Sequence, residues 1–258
     1  MKSLNGKELA SFIKERQAHQ VASLKNKPRL LILRDSNNPV IEKYVNLKKR
    51  YGDDIGIEVI DICAQDDALR AEIIRANNDP TISGIIIQLP LTDKSKTDDL
   101  CNLINPNKDV DGLGAHAKFD SATATAINWL LAGYDIKLDT AKIALVGRGK
   151  LVGAPLYRMF QGSGYDVTLF HHGSDLTKLN QYDIIITATG HPGLITSSMV
   201  KPGAILIDAG TASEDGVLKG DLADEVRERT DLSALTPITG GVGPLTVTCL
   251  FDHVIQAA

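Results

Sequence analysis

One stretch of thirteen residues, Ile143-Ala-Leu-Val-Gly147-Arg148-Gly149-Lys150-Leu151-Val152-Gly153-Ala-Pro155, restricts the fold of this chain more than any other. Four apolar residues of strand character run into a glycine turn and then into a segment with helical spacing. The glycines stand at relative positions 1, 3 and 7, a GxGxxxG spacing. Gly147 permits the tight turn, Gly149 lets the backbone approach a pyrophosphate at the helix N-terminus, and Gly153 lets the helix pack closely on its sheet. A tight strand-to-helix turn with no ligand has the same glycines, but the order strand, turn, helix favours a dinucleotide.

A turn of this kind belongs in a parallel sheet, and the rest of the chain reads accordingly. Short apolar runs at Leu30–Leu33, Gly56–Ile60 and Gly84–Gln88 are followed by helical stretches at Pro39–Arg50, Asp67–Asn77 and Ser95–Ile104. A second series, Ile143–Val146, Val167–Phe170, Ile184–Thr187 and Ala204–Asp208, has its first helix at Leu151–Phe160. Ala122–Gly133 is a helical link between the series, and Leu245–Ala257 is a final helix after a glycine-rich turn. The expected fold class is α/β: two domains with parallel sheets, the second a Rossmann-type dinucleotide domain, and a ligand cleft between them.

An NAD site normally has a carboxylate at the end of the strand after the glycine turn, where it holds the ribose 2′-hydroxyl. Here that strand ends Phe170-His171-His172-Gly173, with no acidic residue. Arg148 lies within the glycine loop and His172 near the expected ribose, so NADP is preferred over NAD. His171 reads equally as a solvated loop residue.

Composition removes other classes. The formal net charge of −4 supplies no basic field for nucleic acid or anionic lipid. No apolar run is long enough to span a membrane, and the charged, helical N-terminus lacks the apolar stretch of a secretion signal. Cys63, Cys101 and Cys249 are far apart in apolar surroundings, which fits neither a disulfide framework nor a metal site. A cytoplasmic, reducing location is the expectation, with no metal.

In the first half, Tyr44 and Lys48 are four residues apart on a helix and share a face. Such a pair is ordinarily a surface tyrosine and a solvated lysine. Two further segments change that reading. Gly84-Ile-Ile-Ile-Gln88-Leu89-Pro90-Leu91 is a buried strand ending in an amide, at the end where parallel sheets bind ligands. Lys108-Asp109-Val110-Asp111-Gly112 places carboxylates in a turn near the domain junction.

These segments, with Pro106–Gly112, Gly147–Pro155 and Pro237-Ile-Thr-Gly-Gly-Val-Gly-Pro-Leu-Thr246, occur in an order that resembles the bifunctional methylenetetrahydrofolate dehydrogenase/methenyltetrahydrofolate cyclohydrolase family over nearly the whole chain. The resemblance implies oxidation of 5,10-methylenetetrahydrofolate to the methenyl form with NADP, then hydrolysis to 10-formyltetrahydrofolate. It implies that Lys48 handles protons at the one-carbon bridge, that Gln88 orients it, and that Asp111 accepts hydrogen bonds from the pterin. Tyr44 would stack on the aminobenzoyl group, with Leu89, Pro90, Gly241, Val242, Gly243 and Pro244 also on the substrate. The cofactor would lie on Gly147, Arg148, Gly149, Lys150, Val152, Gly153, His172, Thr189, Gly190 and Gly210. Residues 1–120 with 243–258 would form the folate domain and 121–242 the NADP domain, in a homodimer built through the second.

The chain departs from the family pattern after Gly112. Residues 113–126 are shorter than usual, with Thr123 the survivor of a Thr-Pro-x-Gly turn. Ile41 stands where a serine is common, Gly149 replaces the serine that often follows Gly-Arg, and Thr239 replaces a proline. The shortened stretch motivates an alternative, a single-activity or non-catalytic folate-binding relative. An unrelated two-domain NADP oxidoreductase of the shikimate dehydrogenase kind would leave Gln88–Leu91 and Asp109–Asp111 without a role.

Overall fold

The computed structural model describes residues 1–210, 212–214 and 217–258. The chain forms two compact units, residues 11–122 with 247–258 and residues 1–10 with 123–246. The element order is β1 (Lys2–Ser3), α1 (Gly6–Ser23), β2 (Arg29–Arg34), α2 (Pro39–Ile55), β3 (Glu58–Cys63), α3 (Asp66–Asn78), β4 (Gly84–Ile87), α4 (Thr97–Leu103) and α5 (Ala122–Gly133). It continues with β5 (Ile143–Val146), α6 (Gly153–Gly162), β6 (Val167–Phe170), β7 (Ile184–Thr187), β8 (Ile205–Asp208), β9 (Ala212–Glu214), β10 (Val217–Lys219), α7 (Asp224–Arg227), β11 (Ala234–Leu235) and α8 (Val242–Gln256).

The first unit holds a parallel sheet in the order β3-β2-β4. Strand β2 is central, and its Leu30, Leu31, Ile32 and Leu33 have no exposed surface. Burial of each such side chain is worth about 1.5–3 kcal/mol, which explains an unbroken apolar run instead of alternation. Helix α2 starts at the Asn38 cap, whose side chain accepts the Val40 N–H, with Pro39 in the first turn. It runs to Ile55, beyond the expected end at Arg50, and stops at Gly56 in the left-handed conformation (φ 81°). Gly56 therefore ends the helix and does not begin β3, which starts two residues later than expected.

The second unit holds a six-stranded sheet in the order β1-β11-β8-β7-β5-β6, with every pairing parallel. Its first ten residues differ from the sequence-based division, which put them in the folate domain. Lys2 and Ser3 pair with Ala234 and Leu235 and so join the NADP-domain sheet. Likewise the boundary near the C-terminus falls inside α8, after Thr246, and not at residue 243. Cys101 and Cys249 are buried, and Cys63 is exposed at the end of β3. Among the described residues no helix is long and apolar enough to cross a membrane, and no cluster of His, Cys, Asp and Glu is placed to hold a metal.

Candidate active site

Lys48 is half-buried on α2, and its Nζ donates a 2.6 Å hydrogen bond to Gln88 Oε1. Three features set the register of α2. Gly52 lies so close to β3 that a Cβ there would stand 2.7 Å from the Ile57 carbonyl oxygen and 2.5 Å from the Val59 side chain. Lys49 Nζ pairs with Asp61 on β3 at 2.9 Å. Tyr51 stacks on Phe251 with ring centroids 4.9 Å apart, and its hydroxyl bonds Gln17 and Thr248. Tyr44, one turn before Lys48, is 40% exposed and open for stacking.

Gln88 follows the last residue of β4, buried, with its N–H on the Leu33 carbonyl at 2.7 Å. Its Nε2 donates to the Leu89 carbonyl at 3.0 Å, which leaves Oε1 aimed at the lysine. The two carboxylates of the 108–112 turn divide their work. Asp109, 1% exposed, accepts the N–H groups of Gly112, Leu113 and Gly114 and shapes the turn. Asp111 is the carboxylate left facing Lys48. Burial pushes its acid form up to about 6, against the pull of Lys48 and with the repulsion of Asp109. Burial likewise lowers the Lys48 pKa, and Asp111 opposes that shift. A lysine that releases its proton more readily than usual, held by an amide beside a carboxylate, is suited to taking a proton from water and returning it.

His253 was not singled out from sequence. It is buried on α8, stacks on Phe119 and bonds the Val110 carbonyl at 2.8 Å through Nδ1. Because a carbonyl only accepts, Nδ1 carries the proton. This bond and the stacked pair support the turn that presents Asp111. A lone histidine in an apolar helical stretch was the available signal.

The glycine motif lies in the other unit. Gly147 has φ 110°, and a Cβ on it would meet the Ala188 carbonyl oxygen at 2.4 Å. At Gly153 a Cβ would stand 2.0 Å from the Gly147 carbonyl oxygen. Gly149 has open space about it. Val152 precedes α6 with no side-chain capping bond, so the positive end of a ten-residue helix faces the glycine turn. Arg148 and His172 are exposed, while Lys150 is half-buried. These residues suit a dinucleotide phosphate. We expect Gly153→Ala to abolish NADPH binding in a fluorescence titration and to lower Tm. Gly149→Ala should leave Tm unchanged, so any loss it causes reads on the ligand alone.

Thr189 and Gly190 form the turn after β7, and Gly210 follows β8. Gly241 and Val242 are buried at the start of α8, Gly243 is exposed there, and all three with Pro244 belong to the unit of the glycine motif. Leu89 is half-buried and Pro90 exposed beyond β4, joined by a cis peptide bond.

Comparison with known families gives two matches along the chain. Residues 4–111 match the model described as the tetrahydrofolate dehydrogenase/cyclohydrolase catalytic domain. Residues 121–258 match the model of the NAD(P)-binding domain of the same proteins. The chain belongs to the tetrahydrofolate dehydrogenase/cyclohydrolase family. Among its relatives, the bifunctional protein FolD of Staphylococcus epidermidis is 36% identical over 276 residues, which cover 99% of this chain and 96% of that protein. The solved structure of the bifunctional FolD dehydrogenase/cyclohydrolase of Campylobacter jejuni superposes with a TM-score of 0.94 at 30% identity, covering 100% of this chain and 98% of that one. The Trypanosoma brucei dehydrogenase-cyclohydrolase, solved with NADP cofactor and an inhibitor, has a TM-score of 0.90 at 25% identity and covers 99% of this chain and 96% of its own. The second domain of this family member is thus an NAD(P)-binding domain, as its glycine turn implied.

Proposed function

We propose that this chain oxidises 5,10-methylenetetrahydrofolate to 5,10-methenyltetrahydrofolate with NADP and hydrolyses the product to 10-formyltetrahydrofolate, with Lys48, Gln88 and Asp111 as its chemical centre. The observation that carries the reading is the 2.6 Å bond between Lys48 and Gln88 in the electrostatic field of Asp111.

When bound, NADP supplies the hydride acceptor. The glycine turn at 147–153, with Arg148 and His172, holds it by its phosphates. The chain's own share of the oxidation is to position the folate: Asp111 takes donors of the pterin, and Tyr44 lies along the aminobenzoyl ring. Leu89 and Pro90, which follow Gln88 in the same unit, extend the substrate surface in this reading. For hydrolysis, the neutral Lys48 amine removes a proton from water as its oxygen bonds the methenyl carbon. The resulting ammonium returns the proton to the ring nitrogen as its bond to that carbon breaks, the hydroxyl on the carbon releases its own proton to solvent as it becomes the formyl carbonyl, and the neutral lysine is regenerated. Gln88 keeps the amine on the correct side of the carbon throughout.

The shortened segment after Gly112 supplies no reason to prefer a non-catalytic relative. Gly112 lies against the Asp120 backbone, Ala122 N–H bonds the Asp111 carbonyl, and Lys48 bonds Gln88.

A spectrophotometric assay of methenyl-folate formation with NADP and with NAD tests the function. We expect kcat/KM to favour NADP by roughly tenfold or more, the worth of one charge-assisted contact to the extra phosphate, and Arg148→Ala to remove most of that preference. Activity with neither nucleotide, alongside folate binding, defeats the oxidoreductase reading. We further place the enzyme in the cytoplasm as a homodimer, which sedimentation at micromolar concentration checks.

A further inference from the structure

The turn that follows β7 is held by a carboxylate outside the expected cofactor residues. Asp221 has no exposed surface. Its Oδ2 accepts the Thr189 N–H at 2.7 Å and its Oδ1 accepts the His191 N–H at 3.0 Å. The residue between them, Gly190, is exposed with φ 68°. Two donors spaced across a glycine and drawn to one buried carboxylate leave the turn little freedom.

Asp221 is itself held. Asp208, the last residue of β8 and the register partner of Thr187 on β7, accepts the N–H groups of Asp221 and Leu222 at 3.1 and 3.2 Å. Arg227 forms an ion pair with Asp208 and bonds the Thr236 carbonyl. The packing admits no slack. A Cβ on Gly210 would lie 2.1 Å from the Asp221 carboxylate, and one on Gly220 would lie 2.0 Å from Asp208 Oδ2. On its other side the 188–190 turn abuts the glycine motif, since Gly147 nearly touches the Ala188 carbonyl.

We infer that Asp221 is a positioning residue of the NADP site: backed by Asp208 and Arg227, it fixes the Thr189–His191 turn against Gly147. The inference rests on the nucleotide reading above and adds to it. The network touches neither Lys48 nor its partners, and hydrolysis of methenyl-folate consumes no nucleotide. The two activities therefore form an internal control that a merely structural role would not separate.

The test is Asp221→Asn in the full chain. Asparagine keeps the shape but presents one acceptor where two N–H donors converge, setting an N–H against an N–H. We expect the KM for NADP and the Kd for NADPH by fluorescence titration to rise roughly tenfold or more, while turnover of 5,10-methenyltetrahydrofolate to the formyl product stays at the wild-type rate. An unchanged NADPH Kd, even with a lowered Tm, overturns the inference. If Asp221→Asn does not fold, Arg227→Lys takes its place, since lysine keeps the charge on Asp208 but not the fork to Thr236. A raised NADPH Kd with hydrolysis retained supports the inference, and an unchanged Kd overturns it. Loss of both activities in both variants also overturns it, because the network would then serve the fold at large. A wild-type chain with no NADP-dependent oxidation defeats the functional reading instead, and is seen before any variant is made.

Discussion

Replacing Lys48 by methionine should slow hydrolysis of 5,10-methenyltetrahydrofolate on the order of 10³-fold, within the range by which positioned acid–base groups accelerate proton transfer. Methionine matches the length and apolar stem of lysine but holds no proton. The side chain is half-buried and its hydrogen bond is to Gln88 at the end of β4, so Tm should shift by only a few degrees. Gln88→Glu separates orientation from protonation. A carboxylate in the same place keeps the hydrogen bond but favours the ammonium, which raises the Lys48 pKa. The free amine then appears only at higher pH. Hydrolysis should fall at neutral pH and recover as the solution is made alkaline, a displacement of the rising limb of kcat/KM. Wild-type hydrolysis by the Lys48→Met enzyme would end the assignment of that lysine.

Legibility in the sequence followed the physical origin of each element. Strands β5 and β7 lie where their apolar runs place them, because buried parallel strands need continuous apolar character and little else does in segments so short. The start of β3 was misplaced because Gly56 looks like an opening strand residue, although its left-handed backbone closes α2. Gly52 has the appearance of a helix breaker but is what lets α2 approach β3. The two-residue strands β1 and β11 carry no pattern, since their pairing is decided by the fold around them. Helix α8 begins at Val242, earlier than expected, because Pro244 is tolerated in a first turn where no helical N–H bond is required.

The site divides in the same way. Lys48, Gln88 and Asp111 were singled out through motif order, but the part Asp109 plays in shaping the turn was not. Both are acidic residues of one turn, and only their hydrogen bonds distinguish the carboxylate that shapes the turn from the one that faces the lysine. Asp221 escaped notice for a related reason. Its importance comes from backbone groups 30 and 32 residues earlier in the chain, and no local spacing encodes such a contact.

Replacing Asp111 by asparagine should weaken folate binding while making the fold more stable, and the pairing of these effects is the diagnostic. Two charge-assisted hydrogen bonds to the pterin, at about 1.5 kcal/mol each, correspond to roughly a hundredfold in affinity. In the wild-type enzyme the same loss should develop with pH. The Asp111 acid form persists up to about 6, so kcat/KM for the folate should fall as pH drops through that value, toward tenfold per unit. The asparagine enzyme should lack this limb. Stability runs the opposite way. A carboxyl whose folded pKa is raised binds its proton more tightly when folded, so stability is lost as pH rises from the ordinary value of 3.8 to about 6. Above about 6 the wild-type fold carries the cost of a desolvated carboxylate, net of the attraction of Lys48, and asparagine removes it. With allowance for partial exposure, a gain of about 1 kcal/mol, or 2–4 °C in Tm, is expected near pH 8, with no gain near pH 3. A variant that binds folate normally, or whose Tm falls at both pH values, would show that Asp111 belongs to the scaffold and not to the ligand.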